Sequence, residues 1–146
     1  MAYFSRTQAL YTDGAYDNMS SKKGGCGYAF FSASLGRWLL AGWSLGKMQS
    51  IVDCELLALL AAMQHAADNC VDTKTFILRT ESTDARGRIT AAREGRPLYH
   101  GARTATIVNR ILGEIELLEF RGVEVRLEYV KAHSGVEGNE LADMMA

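Results

Sequence analysis

Hydrophobic residues in this 146-residue chain change their spacing in a definite order, and that order restricts the fold. Three apolar runs with strand composition occupy its first third, at 9–13, 27–34 and 37–45. The last two flank Leu35-Gly36, a pattern typical of a β-hairpin, and the polar residues 14–25 predict a loop. We therefore expect the chain to begin with an antiparallel meander of three strands.

Helical spacing replaces alternation after Ser50, which stands where an N-cap residue is expected. The apolar face of this first helix has five members: Leu56, Leu59, Leu60, Met63 and Ala67. The sequence then predicts, in order, a strand (75–80), a weak helix (84–93), an amphipathic helix (102–120), a strand (123–130) and a short helix from about Asn139. The amphipathic helix is expected to bury Ile107, Ile111, Ile115 and Leu118. Helical crossovers make strands four and five parallel to strand one, which predicts an α/β fold with a mixed five-stranded sheet flanked by helices.

Composition favours one domain, residues 1–146, because 48% apolar residues can build a sizeable core without disulfides. No apolar run reaches about 18 residues, and the N-terminus lacks the features of a signal peptide, so we expect no membrane association. Cys26, Cys54 and Cys70 lack the paired spacing of a zinc site or a disulfide framework. This favours a reducing intracellular compartment, cytoplasm or nucleus, and we expect a monomer.

Charge is distributed unevenly, although the formal net charge is −1. Residues 79–110 contain seven arginines and three acids, whereas residues 111–128 contain five glutamates and two arginines. One interpretation is two solvated faces of opposite sign. The other is a basic side that contacts phosphate and an acidic side that does not. The pattern alone leaves both open.

Four short segments, far apart in sequence, each place a carboxylate at the edge of an apolar element. The acids are Asp13 at the end of the first strand, Glu55 early in the first helix, Glu81 at the end of the fourth strand and Asp143 in the last helix. Strands one and four are expected to be neighbours, which would set Asp13 beside Glu81. Oxygen ligands from separate elements suit Mg²⁺, so these four acids predict a divalent-metal site.

Each acid also has a purely structural interpretation. Asp13 precedes a glycine and is typical of a turn, while Glu55 near a helix N-terminus is favoured by the helix dipole. Glu140 would complement the last helix in the same way, and Asp143 alone is an ordinary surface acid. The joint occurrence of the acids in this order favours the metal site.

These segments, in this order, resemble the type 1 ribonuclease H family, and most of all the ribonuclease H domains of retroelement reverse transcriptases. The resemblance spans nearly the whole chain and is carried by Thr12-Asp13-Gly14, Gly24-Gly25-Cys26-Gly27, Cys54-Glu55-Leu56, Thr80-Glu81-Ser82 and Gly138-Asn139-Glu140-Leu141-Ala142-Asp143. It implies a ribonuclease H-like fold and an enzyme that hydrolyses the RNA strand of RNA/DNA hybrids with two Mg²⁺ or Mn²⁺ ions. It also raises the alternatives of a free-standing enzyme and a piece of a reverse transcriptase polyprotein.

Five catalytic residues are implied by the resemblance. Four of them are metal ligands: Asp13, Glu55, Glu81 and Asp143. The fifth, His133, is implied as an aid to proton transfer or product release. A histidine flanked by Ala, Ser and Gly titrates near neutral pH, which suits this role, although a plain loop histidine has the same surroundings.

Substrate binding is implied for a second set: Gly14, Lys22, Lys23, Gly24, Gly25, Cys26 and Asn139. The glycine-rich segment 24–27 can bring bare backbone groups close to a sugar, where the 2′-OH distinguishes RNA from DNA. A flexible hairpin entry explains the same glycines equally well. Lys22 and Lys23, just before them, are expected to contact phosphate.

The chain departs from the family pattern in three places. Glu81 stands where the family has Asp, and its extra methylene moves the carboxylate by more than a bond length, which matters for strict Mg²⁺ geometry. Asp84, three residues on, is expected in the following helix. Residues 51–53 replace an Asn-rich run, and the Arg-bearing stretch 86–96 replaces a protrusion rich in Trp and Lys. These departures support an alternative, a catalytically weakened or inactive module of the same fold that binds nucleic acid or a protein partner.

The chain ends three residues beyond Asp143. We therefore expect a final helix of roughly two turns that holds Asp143 less firmly unless the helix is docked. Either the natural chain is minimal or the rest of a longer polypeptide is missing from this sequence.

Overall fold

The computed structural model describes residues 4–96, 101–131 and 136–146. Its strands are β1 (Thr7–Tyr16), β2 (Lys23–Ser32), β3 (Arg37–Lys47), β4 (Thr75–Thr80) and β5 (Glu124–Tyr129). Its helices are α1 (Ile51–Asn69), α2 (Thr83–Arg93), α3 (Ala102–Phe120) and α4 (Glu137–Met145). Every predicted element is present, with ends that differ by a few residues. None of the helices in these ranges is long and apolar enough to cross a membrane.

The five strands form one mixed sheet in the order β3-β2-β1-β4-β5. β2 runs antiparallel to both β1 and β3, while β4 runs parallel to β1 and β5 runs parallel to β4. This confirms the mixed sheet expected from the order of periodicities. The parallel register pairs Thr12 with Thr80, so Asp13 and Glu81 each lie one residue beyond the last pair.

The predicted loop at 14–25 is wrong over half of its length. Residues 14–16 continue β1 and pair with residues 24–26 of β2. Only residues 17–22 connect the two strands, and there the Asp17 carboxylate accepts hydrogen bonds from the N–H groups of Met19, Ser20 and Ser21. Glycine content suggested a loop, but glycine is needed inside these strands because helices lie very close to the sheet.

Helices α1 and α3 pack together against the sheet. Ser50 caps α1 as predicted, since its hydroxyl accepts from the Asp53 N–H at 3.2 Å. The predicted apolar faces of both helices are buried in one core that also contains Leu10, Phe76 and Leu78 from the strands. Each fully buried Leu, Ile or Phe contributes about 1.5–3 kcal/mol, so this core fixes where α1 lies on β1.

Helix α4 covers the opposite face of the sheet. Successive residues of a strand point to opposite faces. A Cβ on Gly14 would lie 2.5 Å from the Cys54 carbonyl carbon of α1, whereas the ring of Tyr11, an odd number of residues away, lies against Gly138 of α4. Asp13 therefore points to the α4 face.

Three glycines of β2 and β3, here called the glycine platform, form the seat of α4: Gly25, Gly27 and Gly42. A Cβ on Gly27 would lie 2.8 Å from the Met145 Cβ, and one on Gly42 would collide with the Met145 carbonyl oxygen. Only bare backbone lets α4 lie this close. The helix has only nine residues, as the sequence suggested, but it is docked on the sheet.

Candidate active site

Asp13 and Glu81 meet at one end of the parallel pair β1 and β4. Because both strands run in the same direction and Thr12 pairs with Thr80, the residues that follow them come out at the same point. Asp13 is 3% exposed and lies within β1, paired with Gly27. Glu81 is the first residue after β4 and is half-buried. Asp13 and Glu81 are therefore neighbours, as predicted.

Glu55 reaches the same point from α1. Its Oε2 accepts a hydrogen bond from the Gly14 N–H at 2.9 Å, and the residue is only 7% exposed. Any side chain on residue 14 would collide with the backbone of α1 at Cys54 and Glu55. Gly14 thus places the first turns of α1 directly on β1, and its N–H orients the Glu55 carboxylate.

Asp143 and Asn139 complete the group from α4. They are four residues apart and so lie on the same face of the helix. Asp143 shares a hydrogen bond with Asp13, and Asn139 Nδ2 donates to Glu81 Oε1 at 2.5 Å. The structure therefore brings Asp13, Glu55, Glu81 and Asp143 together from four separate elements. We call these four residues the carboxylate cluster.

The environment of the cluster favours the neutral form of its buried acids. Burial raises the pKa of Asp13 to about 9, with further contributions from the hydrogen bond to Asp143 and from the charges of Glu55, Glu81 and Asp143. Burial also raises the pKa of Glu55 to about 7, partly opposed by the Gly14 N–H. No Lys or Arg forms an ion pair with the cluster in the described ranges. Among these residues, no cationic side chain is therefore paired with the negative charge of the cluster.

An all-oxygen set of acids without a cationic side chain fits Mg²⁺ or Mn²⁺. In residues 4–96, 101–131 and 136–146, no three His, Cys, Asp or Glu side chains are already placed to hold a metal ion. The four acids lie close enough for their charges to raise the pKa of Asp13. A divalent cation would neutralise this concentration of acids, so the residues fit the ion.

The predicted substrate residues divide into an exposed and a buried group. Lys22 and Lys23 are exposed, and Lys23, Gly24 and Gly25 line an open groove of about 690 Å³ beside the end of α4. Cys26 is 2% exposed, and its side chain lies with Leu57 and Leu60 on the α1 side, where burial raises the pKa of its thiol to about 11. Only the Cys26 backbone takes part in the pairing with the neighbouring strands. Segment 24–27 is strand rather than a flexible hairpin entry.

His133 lies outside the described residues. Asp84, as expected, belongs to a helix: it is in the first turn of α2, where it pairs with Arg88 at 2.8 Å. It does not reach the carboxylate cluster.

The arginine-rich stretch is largely paired with acids. Arg79 pairs with Glu128, and Arg93 of α2 pairs with Glu119 of α3. Arg88 and Arg96 also have acidic partners on the surface. For these four of the seven arginines, the interpretation as solvated faces is favoured over a free phosphate-binding side.

Two features of the site were not predicted from the sequence. One is the glycine platform that seats α4, for which the recurrence of glycine at 25, 27 and 42 was an available signal. The other is the hydrogen bond from Asn139 to Glu81, for which the sequence carries no signal.

A sequence model described as RNase H matches residues 5–146 of this chain. Among solved structures, RNase H1 of the halophilic archaeon Halobacterium salinarum NRC-1 is similar, with a TM-score of 0.71 at 24% sequence identity. That match covers 96% of this chain and 94% of the archaeal one. An N-terminal RNase H domain from Mycobacterium tuberculosis, solved as a fusion with maltose-binding protein, gives a TM-score of 0.69 at 13% identity and covers 97% of this chain and 94% of that one. A search of curated protein sequences found no match.

The two structures share the fold, which confirms the predicted ribonuclease H-like class. The family match covers nearly the whole chain and confirms the predicted ribonuclease H, an enzyme class whose members bind RNA/DNA hybrids and typically use divalent metals. The likeness to retroelement domains stays a prediction. This chain belongs to the ribonuclease H family.

Proposed function

We propose that this protein is a metal-dependent endoribonuclease that hydrolyses the RNA strand of RNA/DNA hybrids with two Mg²⁺ or Mn²⁺ ions. The observation that carries the proposal is the carboxylate cluster, in which β1, α1, β4 and α4 each contribute one acid to a common point. Family membership gives the substrate class, and the cluster gives the chemistry.

Asp13, Glu55, Glu81 and Asp143 are the proposed metal ligands. Two divalent ions held by such acids supply a water nucleophile at neutral pH and stabilise the alkoxide leaving group. The protein contributes the geometry. The Gly14 N–H fixes Glu55, the β1–β4 register fixes Asp13 beside Glu81, and the docked α4 presents Asp143.

His133 precedes α4 in the sequence and is proposed to move protons or help release product. Replacement of His133 by Ala is expected to slow turnover without weakening metal binding.

Recognition of the hybrid is proposed at the groove beside α4. Lys22 and Lys23 lie exposed at the end of the β1–β2 connection, where they can contact phosphate. The backbone of Gly24 carries no side chain that would keep a sugar away, which suits contact with a 2′-OH. Gly25 lines the same groove but is buried beneath the end of α4, so its proposed share is to let that helix end lie close to the groove. Gly14, Cys26 and Asn139 are buried, so their proposed share in substrate binding is through the shape of this region.

The proposal is tested by incubating a labelled hybrid with the full chain in Mg²⁺ or Mn²⁺ and measuring initial rates. Asp13→Asn is expected to abolish cleavage. Glu81→Asp shortens the side chain to the length usual in the family and is expected to preserve or increase the rate. Asp53→Asn is the matched control, because Asp53 is an equally buried acid of α1 that bonds Thr104 and lies outside the cluster. A native chain that binds the hybrid but leaves it intact with both metals would refute enzymatic activity and favour a binding module.

A further inference from the structure

Asn139 is a buried residue of α4 whose two polar side-chain atoms differ: its nitrogen has a hydrogen-bond partner, and its oxygen has none among the described residues. The side chain is 2% exposed, and its Nδ2 donates to Glu81 Oε1. Because the amide NH₂ is the donor in this bond, it faces Glu81, and the Oδ1 of the same amide faces away. Within the described residues, that Oδ1 has no hydrogen-bond partner. A buried oxygen without a partner is uncommon and calls for an explanation.

The position of Asn139 is fixed by the way α4 begins. Gly138 lies against the ring of Tyr11, where any side chain would collide. This contact sets the first turn of α4 on the sheet, so that Asn139 faces the end of β4. Asp143, one turn later on the same helix face, reaches the other side of the cluster. One face of α4 therefore reaches both Asp13 of β1 and Glu81, the residue that follows β4.

We infer that Asn139 is a positioning residue that holds the Glu81 carboxylate within the metal-binding cluster. The inference rests on the proposed function. Glu has one more rotatable bond than the Asp usual in the family, and an unrestrained carboxylate at this position samples more of the space around the site. The bond from Asn139 selects one of these positions. The Oδ1 without a partner in the described residues would remain available to accept a hydrogen bond from water in a metal-loaded site.

A direct contact between the Asn139 side chain and substrate is disfavoured by the same observations. Its nitrogen is committed to Glu81, and almost none of its surface is exposed. A positioning residue and a substrate contact also differ in kinetics. Loss of positioning lowers kcat and metal affinity, whereas loss of a substrate contact raises KM.

The test measures Mn²⁺ affinity by calorimetry on the full chain without nucleic acid, and kcat and KM on a hybrid. Hydrogen bonds to charged groups contribute enough for about a tenfold effect. Asn139→Ala is therefore expected to raise the Mn²⁺ Kd and to lower kcat about tenfold each, with KM changed less than about twofold. Asn139→Leu fills the same space without a donor, keeps the buried site packed and is expected to behave in the same way. Asn69→Ala removes an exposed Asn bond to a helix carbonyl and serves as the control.

The double variant with Glu81→Asp separates positioning from a general structural effect. An Asp carboxylate at position 81 is one methylene shorter and is expected to lose the bond to Asn139, so adding Asn139→Ala to Glu81→Asp should change the Mn²⁺ Kd less than about twofold. If Asn139→Ala weakened Mn²⁺ binding equally in the native chain and in Glu81→Asp, the inference would be overturned while the proposed function stands. The same holds if Asn139→Ala and Asn139→Leu both left the Mn²⁺ affinity unchanged. A native chain that does not bind Mn²⁺ would refute both.

Discussion

Replacing Asp13 by Asn should stabilise the metal-free protein although it removes the central acid of the site. Asp13 is 3% exposed and lies among three other carboxylates, which together with burial raise its pKa from 3.8 to about 9. An Asn has the same shape, carries no charge to bury and can donate a hydrogen bond to a neighbouring carboxylate. We therefore expect the free energy of unfolding in EDTA to increase.

The magnitude follows from the separation of the two pKa values. In the unfolded chain Asp13 has its ordinary pKa of 3.8, about three units below pH 7. At about 1.4 kcal/mol per unit, keeping this acid protonated in the folded state lowers the free energy of unfolding by at most about 4 kcal/mol. Asp143, next to Asp13 in the cluster, is exposed, so solvent relieves part of this cost. We expect Asp13→Asn to raise the free energy of unfolding by about 1–3 kcal/mol, which raises Tm by about 3 to 9 °C for a chain of this length.

The pH dependence of the effect has a definite sign. Because the folded-state pKa of Asp13 is above the unfolded one, the stability that its protonated form provides is complete below pH 3.8 and is lost as the pH rises towards about 9. The gap in stability between Asp13→Asn and the native chain should therefore be wider at pH 8 than at pH 5. Saturating Mg²⁺ should narrow it, since an ion at 100 times its Kd adds about 2.7 kcal/mol to the native chain.

The assay is urea unfolding followed by circular dichroism in EDTA at pH 5 and pH 8, repeated with Mg²⁺. Asp53→Asn is the control, and it should not gain stability because the Asp53 carboxylate accepts from Thr104 Oγ1 at 2.6 Å. An Asp13→Asn variant that is no more stable than the native chain at pH 8, or a gap that does not change with pH, would refute the reasoning.

Two further predictions concern the supports of the site. Gly14→Ala should lower the free energy of unfolding by at least about 1–3 kcal/mol, because the alanine Cβ would meet the α1 backbone at Cys54. The same variant should lose most of its metal affinity. Gly87→Ala, at an open position inside α2, should instead gain about 0.5–1 kcal/mol, and urea unfolding of the two variants compares them directly. Thr104→Val should cost about 1–3 kcal/mol in the same assay by leaving the Asp53 carboxylate without its hydroxyl donor, and an unchanged midpoint would contradict this.

Much of this fold follows from hydrophobic periodicity alone. The faces predicted for the first helix and for 102–120 are buried, and Ser50 caps α1 as expected. These features are local, because they depend on residues a few positions apart. The parallel register that sets Asp13 beside Glu81 could also be anticipated, since a helical crossover constrains strand direction.

The features that escaped prediction depend on contacts between distant segments. Glycines at 14, 24 and 25 were assigned to a loop because glycine often marks one, yet here they lie in strands against helices. The seat of α4 on Gly27 and Gly42 joins residues about 100 positions apart. The bond from Asn139 to Glu81 depends on where α4 is docked, which no local pattern specifies.

The central claim is that this chain cuts the RNA strand of a hybrid with divalent ions held by its four acids. The most direct measurement labels the RNA strand and the DNA strand of one hybrid separately and follows both with Mg²⁺ or Mn²⁺ and with EDTA. We predict internal cleavage of the RNA strand, an intact DNA strand, and no cleavage in EDTA. An intact RNA strand with both metals, or cleavage that continues in EDTA, would contradict the account.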